Sequence, residues 1–458
     1  MNTSRILVLV VFLVLLAVIA LTKRADAGDE QELSAAKNEI SRYRRTLLSR
    51  NRGGNRDRDN RTKQGKKKGN NSKKQKLSPE ERIGVANSHV ALNVFTSLYP
   101  SINSNTIFSP HSLHTALAMT MLGAKKDTKK EFYISLGLKA AKVGKSEVHG
   151  IYKKLLQSLS SRPDIILSYA NSVYVKSGLE LKKKFRTGLT THYHAKVDNF
   201  NMTDPEGPER SINAWVANAT RGKISDILKK GDVNINTAMI IINAVYLNAS
   251  WAIQFQTFNT KPKPFYSLNS GVQTIPTMHI VQFYNYANHH DTEVIELNFN
   301  GSQLAMYILL PSAKSNLNQL LQNMKASSAL ANPFDELLTG LERRNLNLSL
   351  PTFKIQSDVI DLVPALKNLG LKKAFNSSQA DFKGIAKQKL FLDKVIQKAV
   401  ISVNETGCEA AAATDVIFGL KSSRPTPALE VKVDRPFLYV IRSKAQKVVL
   451  FMGTFVGV

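Results

Sequence analysis

Apolar residues recur every three or four positions early in the chain and form unbroken runs later. Asn87–Leu98 has the first pattern and predicts a helix. Leu113–Leu122 predicts a second helix, which Ser109 would cap and Pro110 would begin. β-Branched and aromatic runs predict buried strands at Ala238–Leu247, Gln303–Leu310, Leu346–Leu350, Val395–Val403, Ala428–Val433 and Phe437–Ile441. Helices followed by strands, without a repeat of about 20–50 residues, indicate an α+β fold.

The longest apolar run lies at the N-terminus. Ile6–Leu21 holds 16 residues without a charge, Arg5 precedes it, and Ala25-Asp26-Ala27 offers small residues for a signal peptidase. The run falls short of the roughly 20 residues that a membrane-spanning helix needs. We therefore interpret residues 1–27 as a secretory signal peptide rather than as an uncleaved anchor. The mature chain is expected to be secreted and extracellular, without stable membrane insertion.

Positive charge is concentrated just after this signal. The chain has 63 Lys and Arg against 35 Asp and Glu, a net charge of +28. Residues 37–76 alone hold 16 basic and three acidic residues. From residue 50 to residue 76 there is no large apolar side chain, so this part cannot form a core. We predict that residues 28–76 form a disordered basic extension and that residues 77–458 form the folded domain.

Three interpretations of the extension stay open. It can be a solvated linker, or it can anchor the protein to a heparin-like glycan or another polyanion by counterion release. A protease can also remove it after Arg45, because Arg42-Tyr43-Arg44-Arg45 has a convertase-type spacing. Export makes extracellular glycan more accessible than nucleic acid, so no nucleic-acid partner is expected. The polyanion-binding candidates are Lys66, Lys67, Lys68, Lys73, Lys74 and Lys76.

Asn-x-Ser/Thr sequons are candidate glycosylation sites in an exported chain. The candidates in the folded domain are Asn201, Asn218, Asn248, Asn300, Asn347 and Asn376. A further sequon at Asn404 ends a predicted buried strand, and we interpret it as accidental. The one cysteine, Cys408, excludes an internal disulfide framework and a cysteine-rich metal site.

Common catalytic motifs are missing from the sequence. There is no Gly-x-Ser-x-Gly elbow, no Gly-x-x-x-x-Gly-Lys-Ser/Thr phosphate loop and no His-Glu-x-x-His zinc motif. The pairs His192/His194 and His289/His290 have no carboxylate or third histidine at a useful spacing, so we interpret them as surface or loop residues. We expect neither an enzyme nor a cofactor or metal.

Residues 404–418 have an unusual composition. Propensity alone would assign the four alanines at 410–413 to a helix, but β-branched residues flank them on both sides. A strand that enters an existing sheet needs small side chains on its inward face. Alternate positions supply them at Cys408, Ala410, Ala412 and Thr414, continued by Val416 and Phe418.

Five sequence blocks, in the same order, resemble the serpin family. They are Asn105-Thr106-Ile107-Phe108-Ser109-Pro110, Asn213-x-Trp215-Val216, Asn243-Ala244-Val245-Tyr246, Ala380-Asp381-Phe382-x-Gly384 and Arg435-Pro436-Phe437-Leu438. The resemblance covers residues 77–458, the whole length of a serpin domain. It implies an α+β serpin fold with three β-sheets, eight or nine helices and an exposed reactive-centre loop at about residues 405–430.

The resemblance also implies a mechanism. A serine protease cleaves the loop, forms an acyl-enzyme and is trapped when the cleaved loop inserts as a strand into the central sheet. The hinge of the loop then comprises Glu405, Gly407, Cys408, Glu409, Ala410, Ala411, Ala412, Ala413 and Thr414. The positions that match the shutter and breach of the family are Ser109, Ser112, Asn243, Trp251 and Gln397.

Counting within the family pattern gives the reactive bond. The residue before that bond usually lies sixteen positions beyond the hinge glutamate, Glu405, which gives Lys421 followed by Ser422. A lysine fills the primary pocket of trypsin-like proteases, so the expected partner is a trypsin-like serine protease, bound covalently by a monomeric inhibitor. Arg424 and Leu420 stay open as alternatives, although a proline after Arg424 disfavours cleavage there.

Three positions depart from the family pattern. Gln397 stands where most serpins have a histidine, Cys408 where serine or threonine is usual, and Thr406 where glutamate is frequent. These substitutions are compatible with inhibition. A second hypothesis also stays open, a non-inhibitory serpin that serves as an extracellular binding or carrier protein. Polyanion binding is compatible with both hypotheses and would be helped by lysines near the expected fourth helix, at Lys142, Lys145, Lys153 and Lys154.

Overall fold

The computed structural model describes residues 77–160, 165–289, 291–312, 316–327, 332–408 and 427–458. Residues Gln75–Val458 form one compact unit. The proposed signal peptide, the basic extension and residues 409–426 lie outside the described residues. None of the helices in these ranges combines the length and the apolar character needed to cross a bilayer.

Nine α-helices lie in the described ranges, in agreement with the expected eight or nine. They are α1 (Pro79–Leu98), α2 (Pro110–Gly123), α3 (Lys126–Ser135), α4 (Val148–Ser160), α5 (Lys183–Tyr193), α6 (Pro208–Ala219), α7 (Leu317–Ser327), α8 (Asp335–Leu338) and α9 (Val363–Asn368).

The strands follow the predicted buried runs closely. They are β1 (Ile165–Lys176), β2 (Lys196–Phe200), β3 (Met239–Ser250), β4 (Lys261–Tyr266), β5 (Val272–His289), β6 (Thr292–Asn298), β7 (Leu304–Pro311), β8 (Glu342–Pro351), β9 (Phe353–Gln356), β10 (Ile360–Asp361), β11 (Lys394–Val403), β12 (Gly407–Cys408), β13 (Leu429–Lys432), β14 (Phe437–Ser443) and β15 (Val449–Phe455). All six predicted strands are present, which confirms the α+β class.

Side-chain caps set the starts of the first two helices. The Ser78 hydroxyl accepts from the Glu81 N–H at 3.1 Å, and the Glu81 carboxylate accepts from the Ser78 N–H at 2.7 Å. This capping box starts α1 at Pro79, earlier than the predicted start at residue 87. α2 begins as predicted, with Ser109 at the cap and Pro110 in the first turn.

A seven-stranded sheet forms the centre of the domain. Its order is β10-β11-β12-β3-β1-β2, and β9 also pairs with β11. β3 and β11 run parallel, with residues 240–246 opposite residues 394–400. Alternate residues of β3 face different helices, because Ile241 and Val245 join the main core with α2 whereas Ile240 and Ile242 pack with α6. Burial on both faces explains why β3 has a continuous apolar sequence.

The 18-residue strand β5 connects two of the three expected sheets. Its first half pairs with β4, its second half pairs with β6, and β8 runs beside the middle of the strand. The order β13-β8-β5-β6-β7-β14-β15, with β4 attached, is therefore one continuous network of eight strands. The described strands form two hydrogen-bonded networks because two sheets share β5.

Histidines and tyrosines form a buried polar seam between α2, α4 and α5. His114 Nε2 lies 2.9 Å from the Leu136 carbonyl oxygen, and His114 Nδ1 lies 2.5 Å from the Tyr152 hydroxyl. Since a carbonyl only accepts, Nε2 carries the proton and Nδ1 accepts from the tyrosine. On α4, His149 Nδ1 lies 2.6 Å from the Tyr193 hydroxyl. The three helices are thus joined through neutral imidazole rings.

Acid is expected to destabilise the domain through this seam. Burial lowers the pKa of His114 to about 4, and burial with the nearby charges of Lys129 and His192 lowers the pKa of His149 to about 4. In the unfolded chain the pKa returns to about 6.5, so unfolded molecules take up protons first as the pH falls. The free energy of unfolding therefore decreases between pH values of about 6.5 and 4, by up to about 1.4 kcal/mol per pH unit for each histidine.

The substitution His149→Gln tests this linkage. It is expected to reduce the slope of unfolding free energy against pH by up to about 1.4 kcal/mol per unit, because one linked proton is removed. His194→Gln, which replaces an exposed histidine outside the seam, is the matched control. Denaturant unfolding between pH values of about 4.5 and 6.5 measures both slopes. An unchanged slope in His149→Gln would contradict the assignment.

Candidate functional site

The first residues of the expected loop are already paired inside the central sheet. β12 enters between β3 and β11, with Cys408 opposite Val403 on one side and opposite Ala249 on the other. β12 is antiparallel to both neighbours, and Cys408 is fully buried. Beyond the end of β12, residues 240–246 of β3 pair directly with residues 394–400 of β11. The sheet is therefore closed along most of its length and open at one end, where the hinge has entered.

A tight turn joins β11 to this short strand. The Asn404 side-chain oxygen accepts from the Thr406 N–H at 3.0 Å, from the Thr406 hydroxyl at 2.8 Å and from the Gly407 N–H at 3.2 Å. The Asn404 N–H donates to the Gly407 carbonyl at 2.9 Å. The side chain of Asn404 therefore shapes the turn, which supports the interpretation of its sequon as accidental.

Gly407 is the tightest position in the hinge. Its φ of +151° lies outside the range that side-chain-bearing residues prefer. A Cβ atom at this position would lie 2.1 Å from the Ala249 carbonyl oxygen and 2.7 Å from the Ser250 Cα atom. Both contacts involve backbone of β3, which cannot move without breaking the sheet. Only glycine allows the hinge to enter here.

The breach holds the turn from outside the sheet. Trp251 Nε1 donates to the Asn404 carbonyl at 2.9 Å, and the Trp251 N–H donates to the Thr406 carbonyl at 2.9 Å. The Trp251 ring stacks on Phe299 with centroids 4.7 Å apart. The Glu405 carboxylate accepts from the hydroxyl of a neighbouring threonine, Thr260, at 2.6 Å. The predicted breach residue and the predicted hinge glutamate therefore lie at the same turn.

Gln397 connects β11 to the start of α2. Its side-chain oxygen accepts from the Ser109 N–H at 2.8 Å, and its amide nitrogen donates to the Ser109 carbonyl at 3.0 Å. The same nitrogen donates to the Asn243 side-chain oxygen at 2.5 Å. Gln397, Ser109 and Asn243 are all fully buried. One amide thus ties β3, β11 and α2 together without a group that titrates.

A second set of hydrogen bonds completes the shutter. The Asn243 amide donates to the Ser112 hydroxyl at 2.5 Å and to the Asn171 side-chain oxygen at 2.5 Å. The Ser112 hydroxyl also donates to Asn171 at 3.0 Å, and the Ser109 hydroxyl donates to a β15 carbonyl, that of Leu450, at 2.7 Å. The shutter therefore joins three adjacent strands of the central sheet, β1, β3 and β11, to the helix beneath them.

This arrangement leaves room for β12 to be extended between β3 and β11. Each residue that follows Cys408 into the sheet would replace direct pairing between β3 and β11 with two new ladders. The shutter resists that separation, whereas the hinge and breach position the first residue for it. The predicted shutter residues Ser109, Ser112, Asn243 and Gln397 lie together, and Trp251 lies at the hinge.

Other predicted site residues are placed outside the described part of the chain. These are the hinge residues Glu409, Ala410, Ala411, Ala412, Ala413 and Thr414, the reactive-bond residues Lys421 and Ser422, and the extension lysines Lys66, Lys67, Lys68, Lys73, Lys74 and Lys76. Of the lysines near the fourth helix, Lys142, Lys145 and Lys154 are exposed and Lys153 is half-buried.

The candidate glycosylation sites divide into two groups. Asn201, Asn218, Asn300 and Asn376 are exposed, in turns or at a helix end. Asn248 and Asn347 are half-buried within strands, and the Asn347 side-chain oxygen also accepts from His279 Nε2 at 2.6 Å. A glycan can be attached without disturbing a strand only in the first group.

Sequence reasoning missed several residues of the site. Asn171, Thr260 and Phe299 belong to the shutter or breach, yet each lies in an ordinary stretch of strand or loop sequence. The only signal for Asn171 is that it is a polar residue in a mostly apolar stretch of sequence, and that signal has many structural explanations. Their roles depend on partners far away in the chain.

Comparisons with known proteins agree with this geometry. The family model described as "Serpin (serine protease inhibitor)" matches residues 85–458. Iripin-8 from Ixodes ricinus is 30% identical over 383 residues, which cover 81% of this chain and 92% of that protein. The crystal structure of Serpin48 from the insect Tenebrio molitor has a TM-score of 0.73 at 30% identity and covers 84% of this chain and 100% of that one.

Human thyroxine-binding globulin, solved with its hormone, also has a TM-score of 0.73, but at 23% identity it shows a likeness of fold alone; the match covers 83% of this chain and 99% of that one. The hinge strand, the shutter and the breach lie where the family pattern places them. The chain belongs to the serpin family, and the expected serpin fold is confirmed.

Proposed function

We propose that this protein is a secreted inhibitor that traps a trypsin-like serine protease after cleavage between Lys421 and Ser422. The single observation that carries the proposal is the position of β12 between β3 and β11. A loop whose first residues are already paired needs no separate nucleation step for insertion. The small residues that follow Cys408 in the sequence suit continued entry into the sheet.

The chemistry would be that of an interrupted proteolysis. The protease serine oxygen attacks the Lys421 carbonyl carbon, and its proton passes to the nitrogen of Ser422 as the peptide bond breaks. Ser422 becomes a new N-terminus, and Lys421 stays bound to the protease as an ester. Insertion of the free loop end then carries the protease across the sheet before water can hydrolyse that ester. The inhibitor contributes the bait and the stored free energy, not a catalytic group.

Incubation with trypsin tests the proposal. The wild-type chain is expected to form a complex that survives SDS, whereas Lys421→Ala should lose it because the primary pocket of trypsin is left empty. Arg424→Ala is the matched control, and it should form the complex like the wild type. Rapid cleavage of the wild-type chain without any stable complex would overturn the inhibitory function.

The alternative function is that of an extracellular binding or carrier protein without inhibition. The departures at Cys408 and Gln397 motivate it. It predicts that loop cleavage leaves the melting temperature unchanged, because no strand is added to the sheet. The inhibitory function predicts a large increase in melting temperature after cleavage. The inserted loop would extend β12 along β3 and β11, and the added hydrogen bonds would stabilise the seven-stranded sheet.

Secretion, glycosylation and glycan anchoring form the cellular part of the proposal. The apolar run at residues 6–21 supports export, and the exposed sequons at Asn201, Asn218, Asn300 and Asn376 support N-glycans. The charge of residues 37–76 supports binding to heparin-like glycan, and cleavage after Arg45 would remove only four of its 16 basic residues. The protein would act as a monomer toward its protease.

A further inference from the structure

The turn between β6 and β7 contains an Asn-Gly dipeptide that occurs once in the sequence. Asn300 is followed by Gly301, and none of the other asparagines in the chain precedes a glycine. Residues 300–303 are all exposed. Ser302 completes the sequon of Asn300, so two kinds of covalent modification converge on one side chain.

The local geometry holds the two residues in close contact. The Gly301 N–H donates to the side-chain oxygen of Asn300 at 2.9 Å. Gly301 has φ +70° and ψ 0°, a left-handed conformation that glycine adopts without strain. A Cβ atom at Gly301 would meet no other atom within 4 Å. The Gly301 nitrogen is therefore held beside the side-chain amide of Asn300, with open space around both groups.

Other exposed asparagines in turns use their side chains differently. The Asn201 side-chain oxygen accepts from the N–H of Thr203 at 3.0 Å, two residues further along the chain. The Asn376 side-chain oxygen likewise accepts from the N–H of Ser378 at 2.9 Å. Such Asx turns direct the side chain past the nitrogen of the next residue. At Asn300 the contact is made with that nitrogen itself.

The reaction that this geometry favours needs no enzyme and no oxidant. The Gly301 nitrogen attacks the side-chain amide carbon of Asn300, and a carbon–nitrogen bond forms. The side-chain nitrogen leaves as ammonia, which takes up the proton of the Gly301 N–H, and a succinimide ring remains. Water then opens the ring at one of its two carbonyl carbons. One opening gives aspartate, and the other gives isoaspartate, in which the main chain runs through the former side-chain carbon.

The residue before this dipeptide belongs to the breach. The Phe299 ring stacks on Trp251 with an interplanar angle of 11°, and the two residues also form a β-bridge. The Ala252 N–H donates to the Asn298 carbonyl at 2.9 Å. Trp251 in turn holds the turn that leads into the hinge strand β12. A change in the main chain directly after Phe299 therefore reaches the hinge through one residue, Trp251.

Isoaspartate would disturb the turn because it adds one atom to the main chain. The Ser302 N–H donates to the Phe299 carbonyl at 2.8 Å, and the Phe299 N–H donates to the Leu304 carbonyl at 3.0 Å. A longer main chain between these groups cannot keep both hydrogen bonds in their present geometry. Phe299 would shift, and its stacking on Trp251 would be lost.

We propose that Asn300 is a site of spontaneous modification, at which succinimide formation with Gly301 yields isoaspartate and loosens the breach. An N-glycan on Asn300 would block the reaction, because a side-chain nitrogen bonded to a sugar is not released as ammonia. Glycan occupancy would then determine how long a molecule keeps a tight breach. The modification goes beyond the proposed function, and only the protective role of the glycan rests on it.

Two full-length variants without the sequon test the reaction. Ser302→Ala keeps the Asn-Gly dipeptide, whereas Asn300→Gln removes it, and the longer glutamine side chain closes a larger ring more slowly. During incubation at body temperature in mildly alkaline buffer, Ser302→Ala should accumulate isoaspartate at residue 300 and Asn300→Gln should not. An isoaspartate methyltransferase detects the product, and peptide mass spectrometry locates it. Absence of isoaspartate from residue 300 of Ser302→Ala, or an equal amount at Asn376, would overturn the site.

Wild-type protein tests the protective role of the glycan. Molecules that carry a glycan on Asn300 should stay unmodified under the same conditions, and molecules without it should react as fast as Ser302→Ala. Equal conversion of both kinds of molecule would overturn protection but not the site. The comparison between Ser302→Ala and Asn300→Gln involves no glycan on this residue, and no protease is present. The reaction can therefore be tested even if secretion or inhibition is wrong.

Hydrogen exchange tests the link to the hinge. Ion exchange separates modified from unmodified Ser302→Ala, because the product has an additional carboxylate. Exchange across residues 404–408 should be about three- to tenfold faster in the modified form, the factor that corresponds to loss of an aromatic pair. Freshly purified Asn300→Asp adds the charge without the main-chain atom and should stay within about twofold of the wild type. Equal exchange in both forms of Ser302→Ala would overturn the effect on the breach, and fast exchange in Asn300→Asp would overturn its main-chain cause.

Discussion

Gly407→Ala is expected to convert the inhibitor into a substrate. The added Cβ would lie 2.1 Å from the Ala249 carbonyl oxygen, so β12 must leave the sheet or push β3 aside. Overpacking costs about 1–3 kcal/mol, and the unfavourable φ adds about 1–3 kcal/mol. A strand of two residues cannot offset such a cost. Because the hinge must enter before the protease is carried away, cleavage of the ester should overtake insertion.

Gel analysis of trypsin reactions measures this partition. At least about tenfold less SDS-stable complex per cleaved inhibitor is expected for Gly407→Ala, since 1.4 kcal/mol corresponds to a factor of about ten. Gly271→Ala is the control, because Gly271 also has positive φ, +67°, but its Cβ would have no neighbour within 4 Å. A normal yield of complex with Gly407→Ala would show that the hinge does not enter at this position.

Gln397→Leu is expected to weaken the closed sheet strongly. It would leave the Ser109 N–H and the Asn243 side-chain oxygen buried without the hydrogen bonds that Gln397 provides. Each such group costs about 1–3 kcal/mol, so the free energy of unfolding should fall by about 3 kcal/mol. The melting temperature should decrease by about 5 °C or more. The separation of β3 from β11 should become easier, and spontaneous loss of the native form on heating should be faster.

Calorimetry of the wild type, Gln397→Leu and Gln397→His separates the effect of the lost hydrogen bonds from the effect of a charge at this position. Imidazole at this position retains one donor and one acceptor, so Gln397→His should lose less stability than Gln397→Leu at neutral pH. Below a pH of about 6.5 its deficit relative to the wild type should grow, because the buried site disfavours an imidazolium ion. Equal melting temperatures for the wild type and Gln397→Leu would show that the shutter does not hold the sheet.

Much of the fold was predictable because local patterns decide it. The inner strands β3 and β11 of the central sheet are buried on both faces, so their apolar runs are visible without knowledge of their neighbours. The start of α1 was missed because the prediction followed apolar spacing and overlooked the capping box at Ser78 and Glu81. The sharing of β5 by two sheets could not be predicted, since strand pairing is a long-range property.

The site was predictable only where its residues coincide with the family pattern. The hydrogen bonds between Gln397 and Ser109 join positions 288 apart in the chain, and nothing local reveals them. Composition indicated small residues after Gly407, but the entry of β12 into the sheet depends on the space beside Ala249.

The rate at which Cys408 reacts with a thiol reagent reports how often the hinge opens. Cys408 carries the only sulfhydryl in 458 residues, and it is buried while β12 is paired. A thiol reagent can modify it only in molecules whose hinge has opened, so the labelling rate equals the opening constant multiplied by the intrinsic reactivity of an accessible thiol. The fraction of open molecules can therefore be followed by mass spectrometry without an introduced probe.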